Sequence, residues 1–138
     1  TGRRYIGAIK TNGSSQIYEF YHNAATNFYQ WGEVTTSSPF RVLSGGTATT
    51  ETSVDCTAVV PATGRAAQLR MINTEPVGGQ NSFIRSRTGG PNQLQLRVNS
   101  DLITPIVLTS AQLFYYIYGS APSTGATYID VVGYYDNR

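Results

Sequence analysis

AQLFYYIYG, Ala111 to Gly119, and TYIDVVGYYD, Thr127 to Asp136, are two aromatic and β-branched runs separated by the Ser/Pro/Thr/Gly-rich linker SAPSTGA. Such side chains fit a pleated, half-buried surface, and turn-forming residues between two such runs mark a change of direction. The pair reads as two neighbouring strands at the seed of a β-sheet core, and it holds six of the ten tyrosines. Alternation leaves tyrosines on both faces: Tyr115 opposes Tyr116 and Tyr118, and Tyr134 opposes Tyr135. One face fits inside a sandwich, and the other is expected to meet the same strand region of a neighbouring subunit. Gly133, inside the second run, suggests a bulge or a close backbone contact.

Upstream the same signals recur. RYIGAIK, Arg4 to Lys10, reads as a first strand, Asn12-Gly13 as a hairpin turn, and Gln16 to His22 as the returning strand. NFYQWGEV follows, with Phe28 and Gln30 on one face and Tyr29 and Trp31 on the other. Tyr29 with Trp31 fits either a stacking platform for a sugar or the core, and the size of Trp favours the core. FRVL is a short strand ended by Ser44-Gly45-Gly46. Thr47 to Val60 reads as one long strand or two split by a bend, closed by Pro61.

Ala66 to Asn73 alternates Ala67, Leu69, Met71 with Gln68, Arg70, Ile72 and reads as a strand between turn clusters. EPVGGQNS, Glu75 to Ser82, reads as a flexible loop, FIRSR as a short strand, and Thr88 to Asn92, TGGPN, as a turn. QLQLRV, Gln93 to Val98, has the cleanest half-buried alternation, and Pro105 in LITPIVL places that segment at an edge or a kink. Nine or ten short strands without a convincing helix predict an all-β fold, an antiparallel sandwich or jelly roll in a single domain, residues 1–138. The chain begins without Met and is expected to be the C-terminal fragment of a longer protein.

Composition narrows the function classes. Only 13% of the 138 residues are charged, with one Lys against nine Arg, while 12% are aromatic. Low Lys and Glu with high Tyr and Arg is the composition of surfaces that meet other chains, although β-domains favour Tyr and Thr for their own reasons. A net charge of +2 without a clustered basic face argues against nucleic acid, and no apolar run reaches membrane-spanning length. Cys56, in VDCTA, reads as a small buried hydrophobe, because a nucleophile would need a histidine and His22 stands alone. The eight carboxylates are dispersed, so a glycosidase pair would have to converge from different strands. Asp130 reads as a strand-face carboxylate or an arginine partner rather than a pocket acid. No catalytic, metal or cofactor motif is present, and the chain is expected to be a non-enzyme without cofactors.

Three blocks carry a family resemblance: RRYIGAIKTNGSSQIYEFYH (Arg3 to His22), VDCTAVVPATGRAAQLRM (Val54 to Met71) and TYIDVVGYYDN (Thr127 to Asn137). Together they resemble the C-terminal domains of tailed-bacteriophage tail fibres and related virion appendage proteins. The resemblance implies a β-sandwich that assembles as a homotrimer at an appendage tip and binds a polysaccharide or protein receptor on the bacterial surface. No individual receptor-binding residue follows from it. The loops EPVGGQNS and TGGPN are candidate carriers of sugar contacts. A carbohydrate-binding module of a bacterial or phage enzyme, with Tyr29 and Trp31 as its platform, and a structural decoration domain are the alternatives.

Overall fold

The computed structural model describes residues 10–33, 35–76 and 78–136. It is all-β and sandwich-like, with ten strands: β1 (Phe20–Asn23), β2 (Phe28–Trp31), β3 (Arg41–Gly46), β4 (Thr52–Asp55), β5 (Gly64–Asn73), β6 (Ser82–Arg85), β7 (Leu94–Leu96), β8 (Ser100–Val107), β9 (Leu113–Tyr118) and β10 (Thr127–Asp136). All pairings are antiparallel, and no helix occurs among the described residues. One sheet runs β1-β2-β10-β5-β8, with β3 also on β10, and the other runs β4-β9-β6-β7.

The two C-terminal runs are not paired with each other. β9 is an interior strand of the smaller sheet and β10 of the larger, so SAPSTGA crosses from sheet to sheet instead of closing a hairpin. Both strands need neighbours on both edges, and the sandwich supplies them from elsewhere in the chain. β10 is bordered by β5 along one side. Along the other, β3 pairs its first half and β2 its second. The runs meet instead through the interior, where Thr127 Oγ1 lies 3.0 Å from Tyr118 Oη and 2.9 Å from Ser82 Oγ. Tyr118 donates to Asn73 Oδ1 at 2.9 Å, and Asn73 Nδ2 donates to the carbonyls of Gln80 and Leu96. β5 and β10 are thereby tied to β6 and β9 by buried polar groups that all find partners.

Apolar alternation builds the remaining core. Ala67, Leu69 and Met71 of β5 are fully buried in one core with Phe114 and Tyr116 of β9 and Ile129, Val131 and Tyr134 of β10. At one end the rings gather: Tyr29 stacks on Tyr134 at 5.0 Å, and Trp31 packs on Tyr18, Phe40 and Tyr134. β8 is an edge strand, which accommodates Pro105. Gly133 sits at a register shift of β10, as its place in an aromatic run suggested.

Several elements differ from the sequence reading. The strand in RYIGAIK falls outside the described residues, apart from Lys10. Asn12 does build a turn, its Oδ1 accepting from the backbone N–H groups of Ser14 and Gln16, but the returning strand forms only from Phe20. Ser44-Gly45-Gly46 continues β3 rather than ending it. Of Thr47 to Val60 only Thr52–Asp55 is a strand. Asp55 Oδ1 takes the Thr57 N–H at 2.7 Å, and the N–H groups of Val59 and Val60 both turn back to the Cys56 carbonyl. An Asp-nucleated turn thus buries Val59 and Val60 without a ladder. QLQLRV keeps its alternation but pairs only over Leu94–Leu96.

Candidate functional site

The outward face of the larger sheet carries the groups most able to recognise something. Across β8, β5, β10 and β3 runs a row of alternating charge: Asp101, Arg70, Asp130, Arg41. Arg70 and Arg41 are the direct cross-strand neighbours of Asp130. Arg41 donates to both oxygens of Asp130 at 2.7 and 2.9 Å, and Arg70 Nη2 donates to Asp101 Oδ2 at 2.6 Å. The Arg41 guanidinium also lies 5.1 Å from the centre of the Tyr128 ring. Its hydrogen bonds to Asp130 raise its pKa against the opposing effect of burial, and Arg70 is raised by Asp101. Asp130 is thus an arginine partner, not a free pocket acid. These charges satisfy one another.

Beside this row lies an open groove of ≈ 480 Å³, lined by Phe28, Gln30, Gln68, Ile103, Val132 and Tyr135 together with Trp31 and Gly32. The register explains its shape. Gly133 is the Cα partner of Gln30 on one side and of Gln68 on the other, so two amides flank a position with no side chain. The Phe28 ring fills that gap: a Cβ on Gly133 would lie 2.7 Å from two of its carbons. Phe28 also packs on Tyr135 at 4.8 Å, and Tyr135 Oη donates to Gln68 Oε1 at 3.3 Å. Gln30 is exposed and has no side-chain hydrogen bond among the described residues. The groove thus has an aromatic ring between two amides and no charged side chain in its lining.

A second cleft of ≈ 490 Å³ is lined by Tyr18, Glu19, Glu33, Phe40 and the 35–39 segment. It brings two carboxylates to one place. Both are exposed, and Glu19 Oε1 accepts from Tyr21 Oη at 3.1 Å. No cluster of three metal-ligating side chains occurs among the described residues.

The other residues singled out from sequence fall elsewhere. Tyr29 and Trp31 are 3% and 2% exposed, in the aromatic core, so neither serves as a surface platform. Cys56 is fully buried, and burial, with some help from Asp55, pushes its thiol pKa up. His22 lies on exposed β1, stacked on Tyr29 at 4.2 Å. Both candidate loops are pinned by a carboxylate. Glu75 is buried at the head of EPVGGQNS, accepting from the Ser123 hydroxyl and from the backbone N–H groups of Ser123, Thr124 and Gly125. Glu51 holds TGGPN through the Thr88 hydroxyl and the Gly89 N–H, with Arg85 on its other oxygen. The groove residues were visible only in part: Phe28 and Gln30 share a face by alternation, but their meeting with Gln68 and Tyr135 depends on register. No protein-family model matches the chain, and no curated protein matches it either.

Proposed function

We propose that this chain is the tip domain of a tailed-phage tail fibre or related virion appendage. In this reading it is a jelly-roll-like sandwich that forms a homotrimer and attaches to the bacterial surface by binding, without catalysis. The three sequence blocks that resemble such domains support the attachment role. One structural observation supports the assembly: exposed large apolar side chains lie at the two opposite edges of the same sheet. Ile17 and Tyr21, 56% and 62% exposed, lie at the β1 edge, and Leu102, Ile103 and Val107, 36%, 55% and 61% exposed, lie on β8. A cyclic trimer needs two different patches per subunit, each meeting the other on the next copy. It would also cover the β8 edge, which otherwise offers an open ladder to other chains. Three identical sites would then raise avidity for a repetitive surface.

Sedimentation at micromolar concentration tests the assembly, with an expected mass three times that of the chain. Val107→Lys and Tyr21→Lys should each reduce it to monomer, because each removes one half of a two-patch contact. A monomeric wild type would sink the trimer. Labelled wild-type protein should bind some members of a panel of bacterial cells, and a failure on every strain would favour a purely structural decoration domain. The groove on the large sheet favours one second reading, a carbohydrate-binding module of a bacterial or phage enzyme. A monomer that binds glycan would select it.

A further inference from the structure

We propose that the groove over Gly133 is a site for a neutral pyranose within a surface glycan, with Phe28 as the stacking floor and the Gln30 and Gln68 amides as its flanking hydrogen-bonding groups. This rests on the receptor-binding reading and adds the place and the chemistry.

Three observations converge. The first is dimensional. Gln30, Gly133 and Gln68 occupy one row across β2, β10 and β5, and two strand spacings put the outer backbones roughly 10 Å apart, room for one sugar ring between two amide heads. The second is the floor. Phe28 rests against the bare backbone of Gly133, tilts onto Tyr135, and lines the groove with a half-buried ring. The axial C–H face of a pyranose packs on such a ring, and its equatorial hydroxyls point sideways, where planar amides both donate and accept. Tyr135 orients one of them: by donating to Gln68 Oε1 it leaves the Gln68 NH₂ to donate to a hydroxyl. Gln30 keeps both of its functions free among the described residues.

The third observation is charge. The groove lining contains no charged side chain, and the arginines on the same sheet face, Arg70 and Arg41, are held by Asp101 and Asp130. A uronate, sialate or phosphate placed here would lose hydration without gaining a free cation. The site therefore selects neutral sugars over acidic ones.

The test is a titration of the ¹⁵N-labelled chain with tetrasaccharides of glucose, galactose and mannose, and with uronate-containing and sialylated counterparts. At least one neutral glycan should shift the side-chain NH₂ signals of Gln30 and Gln68, and its own C–H protons should move upfield over the Phe28 ring. Gln30→Ala, at an exposed position, should fold as wild type and weaken that glycan about tenfold. Phe28→Leu should weaken it at least as much by removing the ring face. The proposal is overturned if no neutral glycan perturbs the groove, if acidic glycans bind there more tightly, or if Gln30→Ala binds as wild type. Retained cell binding by a Gln30→Ala, Phe28→Leu double variant would also overturn the groove while leaving the receptor-binding reading intact; cell binding absent from the wild type would sink that reading itself.

Discussion

Glu75 shows how much one side chain can decide in a sparsely charged chain. Its carboxylate is held by the Ser123 hydroxyl and by backbone N–H groups of Ser123, Gly125 and Thr124, and these outweigh the opposing effect of burial, lowering its pKa from 4.5 to about 2. A carboxylate whose folded pKa lies below its unfolded value stabilises the fold fully above the unfolded value and loses that contribution as pH falls through the folded one. The thermal midpoint should therefore fall between about pH 5 and pH 2, and Glu75→Gln should be less stable at neutral pH and flatter across that window. Melts of the two proteins followed by circular dichroism decide this; parallel curves would show that Glu75 contributes nothing to the acid limb. Cys56 makes the opposite case, a thiol kept neutral by its surroundings. A disulfide-exchange reagent should find it unreactive in the native protein and fully reactive in denaturant, and native reactivity would contradict its burial. Cys56 was legible from its place among apolar residues. The role of Glu75 was not, because its donors lie 48 to 50 positions away and EPVGGQNS has the composition of a mobile loop.

At the scale of elements, β10 organises the larger sheet because one ten-residue strand carries three neighbours. Its aromatic and β-branched residues announced a strand, and β5 was equally plain from its alternation. What they could not announce was pairing. Adjacent aromatic runs joined by a turn-rich linker look alike whether the linker closes a hairpin or crosses between sheets, and only the competition for neighbours across the sandwich separates the two. The same limit hid the groove, whose amides become neighbours through Gly133. That glycine is the element's most exacting position, since a Cβ would stand 2.5 Å from the Tyr29 carbonyl oxygen as well as against Phe28. Gly133→Ala should therefore cost about 1–3 kcal/mol through overpacking, read as a lowered denaturation midpoint, and should displace Phe28 from its seat. A variant as stable as wild type, with its Phe28 ring signals unmoved, would show that β2 and β10 can separate more easily than the register implies.

For the molecule as a whole, the question is whether the two sheets unfold as one unit and whether that unit stands alone. Tyr118, Asn73, Thr127 and Ser82 bind the sheets together through buried hydrogen bonds, and the aromatic cluster around Trp31 continues the joint core. Trp31 fluorescence should therefore report the same transition as the far-ultraviolet signal of the strands. Trp31→Ala should remove about 3–5 kcal/mol, enough to threaten folding altogether. Burial of that kind describes one copy. In the trimeric reading the exposed apolar side chains near β1 and on β8 are covered by neighbouring copies, and mass action supplies the test: if folding is coupled to association, dilution favours the unfolded chain. The unfolding midpoint of the wild type should rise across a roughly hundredfold increase in protein concentration, whereas that of Val107→Lys should not move. A concentration-independent wild type would mean that Ile17, Tyr21, Ile103 and Val107 remain solvated in solution, and the trimeric tip would give way to a monomeric binding module.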